Sequence, residues 1–456
     1  MTTPIQYARD HAETFRQQLF ELLRIPSVST DSAYAGEVRR AADWLAADLK
    51  RVGMQNVAVM PTAGHPVVYA DWLNAGADKP TVLIYGHYDV QPADQKKDGW
   101  SSAPFEPEVR DGFIYARGSS DDKGQAFVHV KTVESYLATD GKLPVNVKML
   151  LEGEEEIGSK NLQDFLKTYA DMLRADVAVI SDTGMTDVDQ PEITRALRGL
   201  TYMQLDVQAS KIDLHSGGYG GAIHNPALAL AQIIAKLHNP DNSIAVPGFY
   251  DKVRPLTDTD RAEIASLALS DEKYMEITGA PGIWGEAGYT ADERITGRPT
   301  LEINGLLSGW TGEGAKTVLP AKAMAKISCR LVADQDPVEI YELVKAYVAQ
   351  ITPPTVRAEL KLLNMGDAAL METDMPEMQA AVRAYERGWG KAPLFARTGG
   401  SIPVVADFKR ILGAPTIMLG FGLNTDGAHG PDEHYSLEMF RKGIDTAIYF
   451  LEEVAK

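Results

Sequence analysis

The spacing of hydrophobic residues predicts helices in several parts of the chain. Residues 37–53 place apolar side chains every three or four positions, and Gly53 follows them at a position suited to a helix C-cap. Similar stripes run through 15–23 and 437–451. The apolar faces expected from these stripes consist of Phe15, Leu19, Leu22 and Leu23; Val38, Ala42, Leu45 and Leu49; and Leu437, Phe440, Ile444, Ile448 and Leu451.

Short, nearly continuous apolar runs predict a second kind of element. They occupy 81–86, 144–150, 175–181 and 414–420. A strand covered by helices on both faces is apolar throughout, whereas a half-exposed strand alternates between apolar and polar residues. We therefore expect buried parallel strands at these four places.

The middle of the chain has a different pattern. Residues 201–209 and 325–333 alternate strictly between apolar and polar side chains. This alternation predicts half-exposed strands, which are usually antiparallel. Helical stretches near 226–238 and 337–351 lie among them.

These patterns predict how the chain divides into domains. A chain of 456 residues is too long for one hydrophobic core, so at least two domains are expected. We predict an α/β domain over 1–193 and 372–456, with a mostly parallel sheet and helices on both faces. An inserted α+β domain over 194–371 interrupts it.

Composition and charge narrow the function classes. The net charge of −18 argues against a nucleic-acid or anionic-membrane partner. No run of 18 apolar residues suggests a membrane span, and the first residues lack the pattern of a signal peptide. Cys329 is the single cysteine, so no intramolecular disulfide can form, which fits a reducing compartment. The expected location is the cytoplasm.

Imidazole and carboxylate groups follow the predicted buried strands. His87 follows the first run, a cluster of four glutamates at 152–156 follows the second, Asp182 the third, and His429 lies beyond the fourth. Because ligands bind at the carboxyl ends of strands in open α/β sheets, these groups form a candidate metal-ligand set. Asp121, in a Gly/Ser-rich loop, is a further candidate.

Simpler interpretations stay open for each group taken alone. A lone histidine is commonly a hydrogen-bonded structural residue. Asp121 could cap a helix that begins near Lys123, and Asp182 could stabilise a turn. The glutamate cluster could be a solvated turn.

Six motifs together resemble the M20 family of dinuclear metallopeptidases, and among its members the carnosinase-like, cytosolic non-specific dipeptidases. They are GHYDVQP (86–92), ARGSSDDKG (116–124), EGEEEIGS (152–159), SDTG (181–184), DLHSGGYGG (213–221) and GAHGPDEH (427–434). The motifs follow the family order and span nearly the whole chain. The inserted domain corresponds to the family's lid, or dimerisation, domain.

The resemblance implies two divalent metal ions, Zn²⁺ or Mn²⁺, in each subunit. His87 and Asp182 resemble ligands of one ion, and Glu156 and His429 resemble ligands of the other. Asp121 resembles the carboxylate that bridges both ions, and the peptide bond after it is usually cis in the family.

The resemblance also implies the catalytic acids. Asp89 resembles the residue that orients His87, and Glu155 resembles the general base that activates a metal-bridging water. Glu154 stands where relatives often carry an uncharged residue, and we expect Glu152 and Glu154 to face water.

Four residues resemble substrate-side groups of the family. His215 resembles the histidine that reaches the oxyanion from the other subunit of a homodimer. Thr317, Arg330 and Ser401 resemble substrate contacts, the last two at the substrate's carboxylate. Without the motifs, His215 would be a surface histidine, Arg330 a salt-bridge residue and Ser401 part of a turn.

The expected activity is hydrolysis of dipeptides or short peptides with a free C-terminal carboxylate. An N-acyl-amino-acid amidohydrolase or a carboxypeptidase could use the same dinuclear site, so the sequence leaves that alternative open. A non-catalytic binding protein would be expected to lack a ligand or the base, and this sequence has them all.

Overall fold

The structure is a computed structural model that describes residues 2–400 and 402–456. The chain divides into two compact units. Unit 1 comprises the chain up to Arg195, together with Met371–Ala396 and Pro403–Lys456. Unit 2 comprises Ala196–Leu370 and Arg397–Ile402.

Helices occur throughout both units. They are α1 Pro4–Asp10, α2 Ala12–Leu23, α3 Ala35–Val52, α4 Gln95–Asp98, α5 Lys123–Thr139, α6 Leu162–Thr168, α7 Ala170–Leu173, α8 Ser216–Tyr219, α9 Pro226–Ile234, α10 Asp258–Leu267, α11 Asp271–Thr278, α12 Ala291–Gly297, α13 Pro337–Ile351, α14 Pro376–Trp389, α15 Pro403–Asp407 and α16 Leu437–Val454. Short 3-10 turns cover Ser32–Tyr34 and Glu155–Ile157, and a π-helical turn covers Phe408–Leu412.

The strands fall into one large sheet and several small ones. They are β1 Gln55–Met60, β2 Val67–Trp72, β3 Thr81–His87, β4 Glu108–Arg110, β5 Phe113–Tyr115, β6 Asn146–Glu152, β7 Val177–Ile180, β8 Gly184–Met185, β9 Glu192–Leu197, β10 Gly199–Gln208, β11 Leu214–His215, β12 Thr300–Ser308, β13 Val318–Leu319, β14 Lys322–Leu331, β15 Arg357–Gly366, β16 Ala369–Leu370, β17 Leu394–Thr398, β18 Thr416–Met418, β19 Gly422–Leu423 and β20 His434–Ser436.

The large sheet of unit 1 has a parallel centre and antiparallel edges. Its order runs β1-β2-β6-β3-β7-β18-β9. Strands β6, β3, β7 and β18 pair in parallel, whereas β1, β2 and β9 pair antiparallel. The four apolar runs all form strands of the parallel centre, which confirms the predicted α/β fold with a mostly parallel sheet.

The helices of unit 1 follow the predicted stripes. Helix α3 buries its predicted face and ends at Gly53, whose φ of 101° is left-handed. Helix α16 begins at the N-cap Ser436 and buries its stripe apart from the half-buried Leu437. Helix α5 is buried on every side from Lys123 to Tyr136, as expected for a helix inside the core of a large domain.

Unit 2 is built around an antiparallel sheet of order β12-β14-β10-β15. Strand β10 alternates between buried and half-buried residues, as predicted. Strand β14 does so from Ala323 to Leu331 with one exception, since Ser328 is also buried. Helices α9 and α13 pack on this sheet and close a core that includes Met203, Ile327 and Val344.

The chain enters and leaves unit 2 along paired strands. Ala196 and Leu197 at the end of β9 pair antiparallel with Leu370 and Ala369 of β16. The insertion therefore closes on itself where it joins unit 1. Among the described residues, no helix combines the length and the apolar character needed to cross a membrane.

Candidate metal centre

The centre lies in unit 1, at the carboxyl ends of the parallel strands. His87 is the last residue of β3, and in register with it lies Glu152, the last residue of β6. Asp182 follows the end of β7 by two residues. Parallel pairing places these strand ends side by side, so polar groups far apart in sequence meet at one edge.

His87 belongs to the first of two ligand triads. Its Nε2 lies 3.1 Å from Oδ1 of Asp121 and 3.9 Å from Oδ2 of Asp182. The imidazole is fully buried. Burial opposes a charge on the ring, but hydrogen bonds to Asp121 and Asp89 raise the pKa of His87 well above its ordinary value.

His429 belongs to the second triad. Its Nε2 lies 3.0 Å from Oδ2 of Asp121 and 3.1 Å from Oε2 of Glu156. The His429 side chain is 57% exposed, whereas that of Glu156 is 2% exposed. The two triads therefore share Asp121, which turns one oxygen toward each imidazole.

This donor set fits divalent cations. In each triad the candidate ligand atoms lie within 4.8 Å of one another. Two imidazoles and three carboxylates are ligands that zinc-like ions accept. Burial and the nearby charge of Asp121 raise the pKa of Asp182 to about 7, so the cluster favours positive charge among its carboxylates.

The Asp121 loop is held close to the sheet. The Asp121–Asp122 peptide bond is cis, as the family resemblance implied. Helix α5 begins directly afterwards with Asp122 at its N-cap position. A Cβ on Gly124 would lie 1.9 Å from the carbonyl oxygen of Ser119, so only glycine fits there.

Asp89 holds the backbone of the glutamate cluster. Its Oδ1 accepts the N–H of Glu155 at 3.2 Å, and its Oδ2 accepts the N–H of Glu156 at 3.1 Å. The Ser29 hydroxyl donates to the same Oδ2 at 2.6 Å. His87 Nδ1 lies 3.0 Å from the backbone oxygen of Asp89 and 3.4 Å from its Oδ1. Asp89 thus contacts both His87 and the Glu155–Glu156 turn.

The environment of Glu155 suits a group that exchanges protons. Burial and the neighbouring acids Asp182, Glu156 and Glu152 raise the pKa of Glu155 well above its ordinary value, although His87 opposes the shift. A carboxylate with a raised pKa accepts a proton more readily than an exposed one.

The expectation that Glu152 and Glu154 face water is wrong. Glu152 is 2% exposed and accepts hydrogen bonds from the hydroxyls of Tyr85 and Ser159, at 2.5 and 2.8 Å. Glu154 is 5% exposed and accepts the Asn161 amide at 2.8 Å. These partners replace the water that a buried carboxylate loses, which is why the acids can lie inside the protein.

The substrate-side candidates in unit 2 fall into two places. His215 is exposed in the β11–β13 ladder, where it pairs with Val318, and the N–H of Ser216 donates to the carbonyl of Thr317 at 3.0 Å. Thr317 is therefore next to His215. Arg330 lies half-buried near the far end of β14. The remaining candidate, Ser401, lies outside the described residues.

The structure also shows residues near the centre that sequence reasoning did not single out. Gln91 donates to Oε2 of Glu156 at 2.7 Å, and Ser29 contacts Asp89 as described above. Glu433 accepts hydrogen bonds from the loop that carries Asp121. Gln91 and Glu433 lie inside the motifs at 86–92 and 427–434, so the family resemblance could have pointed to them. The motifs alone do not indicate which groups these two side chains contact.

Comparison with known proteins finds a matching family model and relatives that align with nearly the whole chain. A model of peptidase family M20/M25/M40 matches residues 83–453. The Cys-Gly metallodipeptidase dug1 of Schizosaccharomyces pombe is 33% identical over 459 residues, which cover 97% of this chain and 96% of that protein. The Beta-Ala-His dipeptidase of Homo sapiens is 29% identical, with 98% and 91% covered.

Solved structures give the same result at the level of the fold. The M20 family metallo-carboxypeptidase Sso-CP2 from Sulfolobus solfataricus matches with a TM-score of 0.84 and 31% identity, covering 97% of this chain and 99% of that one. Human carnosine dipeptidase 1 matches with a TM-score of 0.79 and 29% identity, covering 99% and 98%.

Proposed function

Because the chain belongs to peptidase family M20/M25/M40, we propose that it is a metal-dependent dipeptidase. It hydrolyses the peptide bond of dipeptides or short peptides that have a free C-terminal carboxylate. The observation that carries this proposal is the pair of ligand triads sharing Asp121 at the strand ends. The curated relatives that match nearly the whole chain are named as dipeptidases, which supports the same substrate class.

Two divalent cations, zinc or manganese, would occupy the centre. His87 and Asp182 would hold one, Glu156 and His429 the other, and Asp121 both. When bound, such ions acidify a water and polarise the peptide carbonyl. Zinc and manganese both accept imidazole and carboxylate ligands, so availability decides between them.

Glu155 is the proposed general base. Its carboxylate takes the proton of the attacking water and delivers it to the amine that leaves. Asp89 holds the backbone of Glu155 and Glu156 by accepting their N–H groups, and it also contacts His87. Asp89 is therefore proposed as the residue that keeps the base and two metal ligands in place.

Two groups of unit 2 are proposed to bind the substrate. Arg330 and Ser401 would hold the substrate carboxylate, the guanidinium through paired hydrogen bonds. His215 would stabilise the oxyanion with Thr317 beside it. These roles make unit 2 a lid and dimerisation domain.

Geometry within unit 2 supports a homodimer in which His215 serves the partner's active site. His215 lies in the ladder that precedes β14, whereas Arg330 lies eight residues beyond Lys322, the first residue of that strand. At about 3.3 Å per residue, Lys322 and Arg330 lie about 26 Å apart along the strand, so Arg330 is remote from the end of β14 that follows the ladder. This separation along the strand supports the proposal that the two residues act on different substrate molecules. We also place the enzyme in the cytoplasm, for which the single cysteine is the support.

The test compares a free dipeptide with its N-acetylated counterpart as substrates of the metal-reconstituted protein. A dipeptidase cleaves the free dipeptide faster, and a chelator stops the reaction. Faster cleavage of the acetylated compound would replace the proposal by an acylase or carboxypeptidase activity. Turnover that a chelator leaves intact would overturn the metal-dependent mechanism itself.

A further inference from the structure

The loop that carries His429 is exposed yet anchored by acids. Within 424–433, a segment that the structure describes throughout, the buried residues are Asp426 and Glu433, at 1% and 0% exposure. Loops are usually anchored by apolar side chains, because burying a carboxylate costs free energy unless partners replace its water. The partners of these two acids therefore indicate what they do.

Glu433 binds the loop that carries Asp121. Its Oε1 accepts the N–H groups of Ser120 at 2.9 Å and of Asp121 at 3.1 Å. Its Oε2 accepts Nη1 of Arg117 at 2.7 Å and the N–H of Gly118 at 2.9 Å. Both oxygens of one carboxylate are thus used to fix the backbone that leads into the shared metal ligand.

Two further contacts join the same pair of loops. Nη2 of Arg117 donates to the carbonyl of Gly430, the residue after His429, at 3.1 Å. Oδ2 of Asp426 accepts the Ser120 hydroxyl at 2.7 Å and the N–H of Leu423 at 2.8 Å. The loop of His429 is therefore hydrogen-bonded to the loop of Asp121 on both sides of the histidine.

We propose that Glu433, Asp426 and Arg117 form a carboxylate clamp that positions His429 against Asp121. The clamp sets the affinity of the centre for the ion on the His429 side. This inference rests on the proposed dinuclear site. None of the clamp residues needs to touch metal or substrate, so they are positioning residues.

The effect of the clamp is asymmetric. His87 and Asp182 on the other side follow the parallel pairing of β3 with β7, which joins Val82–Tyr85 to Val177–Ile180. That pairing does not depend on the clamp. Because Asp121 belongs to both triads, loosening the clamp should weaken both ions, and the ion on the His429 side more than the other.

The test is Glu433→Gln in the full chain, with Mn²⁺ titrated into metal-free protein by calorimetry. The amide presents N–H groups to backbone donors, so it cannot accept the same four hydrogen bonds. We expect the wild type to bind two ions, and the variant to bind the ion on the His429 side about 10- to 100-fold more weakly and the other ion with a smaller loss of affinity. Raising the Mn²⁺ concentration should then restore dipeptide turnover.

A matched control is Glu453→Gln. Glu453 is also a buried acid paired with arginines, Arg383 and Arg387, but it lies on α16 away from the ligands. The Glu453→Gln variant should have a lower melting temperature than the wild type and bind both ions with wild-type affinity. If it weakened the ion on the His429 side as much as Glu433→Gln does, the effect would be general destabilisation and the clamp would be rejected.

A second variant, Asp426→Ala, covers the case in which Glu433→Gln fails to fold, since it removes the oxygen that accepts from Ser120 and Leu423 and leaves the Glu433 contacts in place. It should weaken the ion on the His429 side in the same direction but less. Wild-type affinity for both ions in Asp426→Ala and in any folded Glu433→Gln would overturn the clamp alone. A wild type that binds a single ion would overturn the dinuclear site, and the clamp with it.

Discussion

The metal centre of unit 1 and the substrate-side candidates of unit 2 are built in different ways. In unit 1, residues as distant as His87 and His429 both lie about 3 Å from one carboxylate. In unit 2, His215 and Thr317 sit on an exposed two-stranded ladder, and Arg330 lies near the far end of another strand. The side chains of the first set meet at one place, whereas the described members of the second set lie at two places in unit 2.

The difference follows from how each sheet is made. Parallel strands bring all their carboxyl ends to one edge, so ligands after successive strands converge there. Antiparallel strands point in alternate directions, so residues of one sheet are spread over both of its ends. Convergent chemistry is therefore expected from unit 1, whereas the substrate-side candidates of unit 2 stay spread along its strands.

The largest loss of turnover is expected at Glu155, beside the metal centre of unit 1. Glu155→Gln should lower kcat by about 10³-fold or more, because the amide cannot take a proton from water. Bound metal, measured by elemental analysis, should be unchanged. The neighbouring Glu154→Gln is the matched control, and it should lose stability rather than turnover because Glu154 binds Asn161. Equal turnover of Glu155→Gln and wild type would remove Glu155 from the mechanism.

The second-largest loss of turnover is expected at His215, the candidate oxyanion group of unit 2. His215→Ala should lower kcat by about 10²- to 10³-fold, as does loss of an oxyanion donor elsewhere. His224→Ala changes another histidine of unit 2, which contacts Thr355, and should leave kcat unchanged.

Subunit mixing sharpens this test. Mixed dimers of His215→Ala and Glu155→Gln should regain part of the activity, since one active site would then have both groups intact. An absence of recovery, with subunit exchange demonstrated by mass spectrometry, would contradict action across a dimer.

A smaller effect is expected for substrate binding. Arg330→Lys should raise KM about tenfold for a dipeptide with a free carboxylate, because one charge-assisted hydrogen bond is lost. The KM for the C-terminal amide should not change. Lys326→Ala, on the same face of β14, should leave both values alone. If the two substrates responded equally to Arg330→Lys, the arginine would not read the carboxylate.

The last prediction concerns the stability of the protein rather than its turnover, and it rests on a buried histidine near the metal centre. His129 Nε2 lies 2.7 Å from the hydroxyl of Ser181, next to Asp182, and burial lowers the pKa of His129 to about 3. The unfolded chain takes up this proton below its ordinary pKa of about 6.5, but the folded protein does not. The stability that His129 gives is therefore complete above pH 6.5 or so and is lost toward pH 3, at about 1.4 kcal/mol per pH unit.

Urea unfolding of His129→Gln measures this dependence. The variant should be less stable than wild type at pH 7, and the difference in free energy of unfolding should shrink by about 2 kcal/mol at pH 5. His11→Gln, at a half-exposed position, is the control. A difference that stays constant with pH would mean that His129 is protonated in the folded protein as well.

Sequence patterns were enough for the parallel strands, the main helices and the residues that meet in the two triads. The reason is that burial on both faces and alternation are properties of single segments, such as 81–86 or 201–209. The family motifs then named the ligand candidates, and strand order placed them at one edge.

What could not be predicted depended on contacts between distant segments. An acidic run has the same sequence whether it is solvated or buried, and one of the hydroxyls that bind Glu152 belongs to Tyr85, on another strand. The partners of Glu433 lie more than 300 positions earlier. Local patterns contain no information on such pairs, so the glutamate cluster was misjudged and the clamp was missed.

The paired strands at the junction of unit 2 have a consequence for folding. Four candidate ligands precede unit 2 in the chain and His429 follows it, so the centre needs both flanking segments. Closing a disordered loop of this size would cost about 4.5 kcal/mol of chain entropy. Once Ala196–Leu197 and Leu370–Ala369 are paired, the flanking segments meet as if a hairpin turn joined them. If unit 2 folds first, the two flanking segments are already close together. The metal centre then assembles without the entropy cost of closing a long loop.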